Sequence, residues 1–405
     1  MFSLDRFYNI LHNRLISQFT NGRSVYFYPF GTYEQTHVLE QKVDTFYNTD
    51  INREKNRNFF HCYFFDQEPI YNYTLPIIDN TLLHPLHWEE PRRISILANS
   101  EKSAIISDYA KSQNLYNWYY FYHGFAALDW YRDFQYIEPQ SFNRFDKVFI
   151  CYNHLISKYR SYRLHLVSNL INQDLVKHGR VSLFLEDTDG TWQDAIENPT
   201  NPLDNRARVT IYKTLKDIKE PLIIDTDKPN GTLSAGVNFD DLTSALFHVV
   251  TETVYFLPKL HLTEKVFKPV VAKRPFFLVS TPGSLAYFKS YGFKTFDHWV
   301  DESYDNETDH YIRIEKITAE IARLCAMDRK QLEQIHEEMK EVLEYNFNHF
   351  YTTFKTLIVD ELVDNFEHIL CQINNGRQPN NHSRHHHRFE LPSGYLDDIK
   401  TQLKQ

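Results

Sequence analysis

Residues 261–280 read HLTEKVFKPVVAKRPFFLVS, and the order of patterns in this stretch decides the fold. Thr263 is a helix-capping residue type, because its side-chain oxygen can accept one of the N–H groups that the first turn leaves unpaired. Residues 276–280 (FFLVS) follow as a short apolar run of the kind buried on both faces of a sheet. Pro282-Gly283 marks a turn, and residues 284–291 read as a short helix. A helix, a buried strand, a turn and a helix form the repeating unit of a parallel α/β layer.

The same pattern extends outward. Upstream, residues 147–152 (KVFICY), 181–185 and 222–225 read as strands, residues 162–178 as a helix, and residues 245–250 run apolar into the polar step Thr251-Glu252-Thr253. In the first third, residues 24–29 (SVYFYP), 59–65 (FFHCYFF), 94–98 (ISILA) and 117–122 (NWYYFY) are β-branched or aromatic and bounded by turn residues, with helical stretches at 34–46 and 102–113. The N-terminus places Leu4, Phe7, Tyr8, Leu11 and Leu15 on one helical face. Downstream, Ile314, Ile317, Ile321 and Leu324 keep helical spacing, and Leu332, Ile335, Met339 and Val342 repeat it behind Asp328, a candidate N-cap. A last helix over 348–373, with the stripe Leu357, Leu362, Phe366 and Ile369, precedes a polar tail. The expected fold class is α/β, with two Rossmann-like lobes, a cleft between them and a helical C-terminal end. The expected domains are 1–145, 146–355 and 356–405, the last crossing back to the first. Ligands of open α/β sheets bind at the carboxyl ends of the strands, so the cleft is the expected site.

Composition narrows the function classes. The 405 residues include 27 Tyr and 31 Phe but only 11 Gly, and neither a G-x-G-x-x-G nor a P-loop sequence is present. The net charge of −9 counts against a sequence-independent nucleic-acid binder. Cys62, Cys151, Cys325 and Cys371 form no C-x-x-C and read as reduced thiols. The longest apolar runs are too short to cross a bilayer, and no secretory leader is evident. The expectation is a soluble cytoplasmic protein, in the host cytoplasm if viral, without a membrane span.

Thr263, Glu264 and Lys265 could hold a nucleotide with one short element: the cation for phosphate, the carboxylate for a ribose diol. A Thr-capped surface helix with solvated Glu and Lys would have the same sequence. Together with the K-P step, PFFLV and PGSL, residues 262–296 resemble the donor-binding lobe of GT-B glycosyltransferases, closest to fucosyltransferase-like enzymes and their phage and bacterial members. Residues 149–170 (FICYNHLISKYRSYRLHLVSNL) resemble the strand–Asn–Arg–helix segment that opens that lobe, and the resemblance spans about 146–355. It implies a nucleotide-diphosphate sugar as co-substrate, without a metal or further cofactor. It also implies an inverting transfer to a glycan or other hydroxyl acceptor. Arg163, with Arg160 as second choice, and Lys265 would bind the diphosphate, and Glu264 the ribose. Asn153, Glu252 and Thr263 complete the donor-binding set. Fixed cations would stabilise the leaving diphosphate.

Inverting transfer needs a general base. The resemblance implies an N-terminal carboxylate, and Phe65-Asp66-Gln67-Glu68 offers two after an apolar strand: Glu68 is the first choice and Asp66 the second. His123 is the runner-up. Asp187-Thr188-Asp189 and Asp225-Thr226-Asp227 could instead hold a divalent cation, as in GT-A enzymes, although turns after strands favour Asp anyway. His382 and His385–His387 lack the spacing of a rigid metal site. Trp88, Trp118, Trp130 and Tyr131 would supply stacking faces for an acceptor. Two alternatives stand beside this reading. One is a DNA-modifying glycosyltransferase acting on hydroxylated pyrimidines of phage DNA. The other is a catalytically silent carbohydrate-binding protein.

Overall fold

The computed structural model describes residues 2–16, 18, 23–26, 60–71, 75, 94–133, 145–224, 235–375 and 390–405. The expected helix at 34–46, Trp88, the Asp225–Asp227 step and the His-rich run lie outside them. The chain is α/β and divides into two compact units, 1–129 with 355–405, and 130–354. The second unit thus begins ahead of residue 145.

The first unit is built on four parallel strands, β1 (Arg23–Tyr26), β2 (Phe60–Phe65), β3 (Ile94–Asn99) and β4 (Tyr116–Tyr119), in spatial order β1-β2-β3-β4. Every β3 residue is buried, as expected for a strand covered on both faces. The period-2 alternation of β2 sends Tyr63 and Phe65 into a core with Leu97, Ile106 and Leu115. Phe64 meets Tyr8 and Trp118 instead. The helix Leu4–Ile10, capped by Ser3, buries Leu4, Phe7 and Ile10. It and the π-helical turn Leu11–Ile16 that follows are tied to the helix Tyr395–Lys404: Arg6 donates to Gln402 O at 2.8 Å, and Arg14 of the turn pairs with Asp398 at 3.0 Å.

The expected helix over 348–373 is two helices, Arg329–Thr352 and Phe354–Asn374. At the break, the Thr352 hydroxyl donates to Asn348 O, a side-chain bond that competes with continued helix. The buried face of the second helix is Ile358, Val359, Leu362, Val363, Phe366 and Ile369, whereas Leu357 is exposed. Its Leu362 carbonyl accepts Trp118 Nε1 at 3.1 Å. The capping at Asp328 is as expected, with Gln331 closing a reciprocal capping box.

The second unit holds β5 (Lys147–Cys151), β6 (Gly179–Val181), a hairpin of β7 (Glu186–Asp187) and β8 (Gly190–Thr191), and then β9 (Ala245–Thr251) and β10 (Phe276–Val279). The main sheet is parallel in the order β10-β9-β5-β6. The chain leaves β5 for β6 on one side and then returns to β9 on the other, so the order reverses between β5 and β9. Ligands of such sheets bind at that switch point. The expected strand at 181–185 ends at Val181, and of that at 222–225 the described residues 222–224 hold one antiparallel bridge, Leu222 to Leu183. The expected helix over 162–178 stops at Asn172, where Asp174 takes a positive φ of 57°.

A Cβ at Gly179 would lie 2.4–2.7 Å from the buried Phe149 ring. Gly179→Ala should therefore destabilise the second unit by about 1–3 kcal/mol, the usual cost of overpacking. Adding Phe149→Leu should recover part of that loss. Urea unfolding of the two variants and the double variant measures the coupling.

Candidate functional site

Strand ends of a parallel sheet carry carbonyls without a ladder partner, and here they are buried. At the end of β9, Glu252 N donates to Val279 O of β10 at 3.1 Å, and the Thr251 hydroxyl donates to Tyr152 O beyond β5 at 3.0 Å. Tyr162 and Arg163, opening the helix Tyr162–Asn172, supply the remaining donors. The Tyr162 hydroxyl donates to Glu252 O. Arg163 Nη1 donates to Leu155 O at 2.9 Å, and Nη2 to Thr251 O at 3.0 Å and Glu252 O at 3.4 Å. Arg163 is 4% exposed. The residue expected to grip a diphosphate is thus committed to the main chain. Arg160, one turn earlier, is half-buried.

Glu252 is fully buried, and Thr263 holds its carboxylate: the N–H lies 3.2 Å from each oxygen and the hydroxyl 2.6 Å from Oε2. Thr263 in turn caps the turn Glu264–Val266, which runs into the helix Phe267–Val271. Lys265 Nζ lies 3.3 Å from the Thr263 hydroxyl and 3.1 Å from Glu264 Oε1. Glu264 is 3% exposed, whereas a third of the Lys265 side chain faces solvent. Burial raises the Glu252 pKa, Lys265 and the Thr263 hydroxyl pull it down, and Glu264 pushes it up again. Thr263, Glu264 and Lys265 therefore gather around Glu252 at the switch point. Arg163 joins them from the main-chain side. Asn153, just past β5, is also buried there; its amide donates to Ser182 O at 3.1 Å, and its Oδ1 has no partner among the described residues.

Tyr131 is a buried residue of this unit rather than an exposed stacking face. Its hydroxyl pKa is raised well above the ordinary value by burial and by the charges of Glu264 and Glu252. Trp118 is likewise fully buried in the first unit, and Trp130 half-buried. Asp187 is also committed. Its carboxylate accepts Ile156 N at 2.7 Å and Ser157 N at 2.9 Å, and Asp189 pairs with Lys158 at 2.8 Å. Burial acts to raise the Asp187 pKa, but the hydrogen bonds from Ser157, Ile156 and Asp189 outweigh it and leave it lowered. Among the described residues no cluster of three or more His, Cys, Asp or Glu could hold a metal ion.

The first unit carries a second polar centre at the carboxyl ends of β2 and β4. Asp66 directly follows β2 and is 2% exposed. Oδ2 accepts the Tyr8 hydroxyl at 2.8 Å and also that of Tyr120, which directly follows β4. Burial pushes the carboxyl up to about 6, against the two tyrosine hydrogen bonds and the nearby His123. Glu68, two residues on, is half-buried, and His123 is buried beside Tyr122. Tyr8 and Tyr120 carried no local signal as site residues, because each is brought to Asp66 from another element, and Tyr131, expected as a stacking face, meets the charges of Glu264 and Glu252 instead.

An acid whose pKa is higher in the fold than in the unfolded chain binds its proton more tightly when folded. The Asp66 contribution to stability is therefore present at acidic pH and declines as pH rises from near the ordinary 3.8 through about 6. Between about pH 4 and pH 7 that decline should reach roughly 2 kcal/mol, from a pKa difference worth about 1.4 kcal/mol per unit. Asp66→Asn should flatten this part of the curve. Chemical unfolding of both proteins across that range measures the difference, and parallel curves would remove the protonated Asp66.

Compared with protein-family models, with curated proteins and with solved structures, the chain finds no match.

Proposed function

We propose that this protein is a nucleotide-sugar-dependent glycosyltransferase of GT-B architecture. It moves a sugar from a nucleotide-diphosphate donor to a hydroxyl acceptor with inversion and without a metal. The observation that carries this reading is the Thr263–Lys265 turn at the switch point of the second sheet. It pairs a partly exposed ammonium with a neighbouring carboxylate, at the place where open α/β sheets take nucleotides. Lys265 meets the diphosphate and stabilises the charge that develops on it as the sugar leaves. Glu264 accepts hydrogen bonds from the ribose hydroxyls. Arg160, on the loop after β5, is the further cation of this reading, now that Arg163 serves the strand ends. Thr263, Glu252 and Asn153 hold the turn and the strand ends in place.

The base belongs to the first unit. Asp66 suits the role better than Glu68, because its carboxyl titrates at about 6 and two tyrosine hydroxyls fix its orientation. Deprotonated at neutral pH, it can remove a proton from an acceptor hydroxyl as the bond to the sugar forms.

Donor binding is tested by thermal stabilisation with a panel of nucleoside diphosphates. A ligand at a hundred times its dissociation constant should add about 2.7 kcal/mol. Lys265→Ala should weaken binding by about 1.5–3 kcal/mol, roughly ten- to a hundredfold, the range for a hydrogen bond to a charged group. Stabilisation by none of them would end the donor reading.

Once a donor is found, Asp66→Asn should lower turnover by about 10²–10⁴-fold and leave donor affinity nearly unchanged. Near-normal turnover in that variant, with a large loss in Glu68→Gln, would return the role to Glu68.

A further inference from the structure

Two buried carboxylates and one ammonium form the centre of the Thr263 turn, linked as a single hydrogen-bonded chain. The Thr263 hydroxyl lies 2.6 Å from Glu252 Oε2 and 3.3 Å from Lys265 Nζ, and Nζ lies 3.1 Å from Glu264 Oε1. Lys265 is the ammonium that both carboxylates face. Among the described residues, the other groups around Glu252 do not replace it. Arg163 is turned to the Glu252 carbonyl, and Tyr162 and Tyr131 are buried hydroxyls whose pKa values are raised, which keeps them un-ionised.

We infer that an anion bound at Lys265 brings a proton with it, and that Glu252 is the group that takes it. The inference rests on the reading of Lys265 as the diphosphate ligand. Phosphate oxygens draw the ammonium away from the carboxylates and add negative charge beside them, and both effects favour a protonated acid. Glu264 is the carboxylate that this reading gives to the ribose hydroxyls, whereas Glu252 is fully buried and is linked to Lys265 through the Thr263 hydroxyl. Burial already raises its pKa, and Lys265 is the strongest opposing influence.

The proton also has a place in the hydrogen bonding. It comes from solvent and adds to Oε2. The bond to Thr263 then reverses, with the acid O–H donating and the Thr263 oxygen accepting. The Thr263 hydroxyl hydrogen is freed to point toward the anion, while its N–H still donates to Oε1. Glu252 is thus a positioning residue: it turns the Thr263 hydroxyl into a donor for the ligand.

The test is calorimetric titration of the full chain with inorganic pyrophosphate in two buffers of different ionisation enthalpy near neutral pH. Wild type should take up as much as about one proton more than Glu252→Gln, and its affinity should fall by up to about tenfold per unit rise in pH. The difference between the proteins cancels the protonation of pyrophosphate itself. If Glu252→Gln does not fold, the same titration of wild type with sulfate, which stays a dianion near neutrality, reports uptake by the protein alone. Binding with equal uptake in wild type and Glu252→Gln, or sulfate binding without uptake, overturns the inference and leaves the anion site standing. Absence of binding by either anion overturns the anion site and the inference with it.

Discussion

The guanidinium of Arg163, held against the carbonyls of Leu155, Thr251 and Glu252, is the constraint on which the second unit's site depends. A parallel sheet that ends at a switch point leaves carbonyls from neighbouring strands pointing the same way, with no strand left to pair them. Buried and unpaired, each would cost about 1–3 kcal/mol. Arg163, at the start of a helix, answers two of them at the end of β9, Thr251 O and Glu252 O, together with Leu155 O in the loop after β5, and Tyr162 adds a further donor to Glu252 O. The same bonds fix where Glu252 stands, and Glu252 fixes Thr263. The turn that presents Glu264 and Lys265 is thereby tied to the sheet edge through side-chain and backbone bonds rather than through helix length. The helix that follows it, Phe267–Val271, is only five residues long and ends where Lys273 adopts a positive φ of 47°.

The two units handle a buried acid at a strand end in different ways. Asp66, one residue past β2, is held by the neutral hydroxyls of Tyr8 and Tyr120. Hydroxyl donors favour the charged form, but they do not offset complete burial, so the carboxyl rises to about 6. Glu252, one residue past β9, has a hydroxyl and an N–H of Thr263, with an ammonium one bond further away. Its charge depends on where that ammonium goes. A group tuned by neutral donors is ready to exchange protons at a set pH, whereas a group tuned by a mobile charge responds to whatever displaces that charge. The first property suits a general base and the second suits a binding site.

The N-terminal helix brings Tyr8 to Asp66 and is itself gripped by the C-terminal helix through Arg6, with Arg14 of the following turn adding an ion pair. Lys400 and Lys404 of that C-terminal helix pair with Asp364 and Asp360 of the helix Phe354–Asn374. The ion pairs are partly exposed and individually worth little. Their effect is positional: both ends of the chain belong to the unit that holds Asp66.

Local patterns in the sequence determined the α/β class, the strands at 94–98 and 276–280, the caps at Thr263 and Asp328, and the stripe Ile314, Ile317, Ile321 and Leu324. Each of these follows from periodicity or from one side chain satisfying its own neighbours, interactions within about a helical turn. The Thr263–Lys265 turn and Asp66 were legible as candidates for the same reason, since residue type and position after a strand are local facts. Tertiary structure alone decided what those residues meet. Arg163 turned to carbonyls, Tyr131 came to lie beside Glu264, Trp118 was buried, and Asp66 rather than Glu68 received two tyrosines. These outcomes depend on which strand ends become neighbours. That is set by sheet order, and sheet order follows from burying the whole chain at once, not from any segment of it.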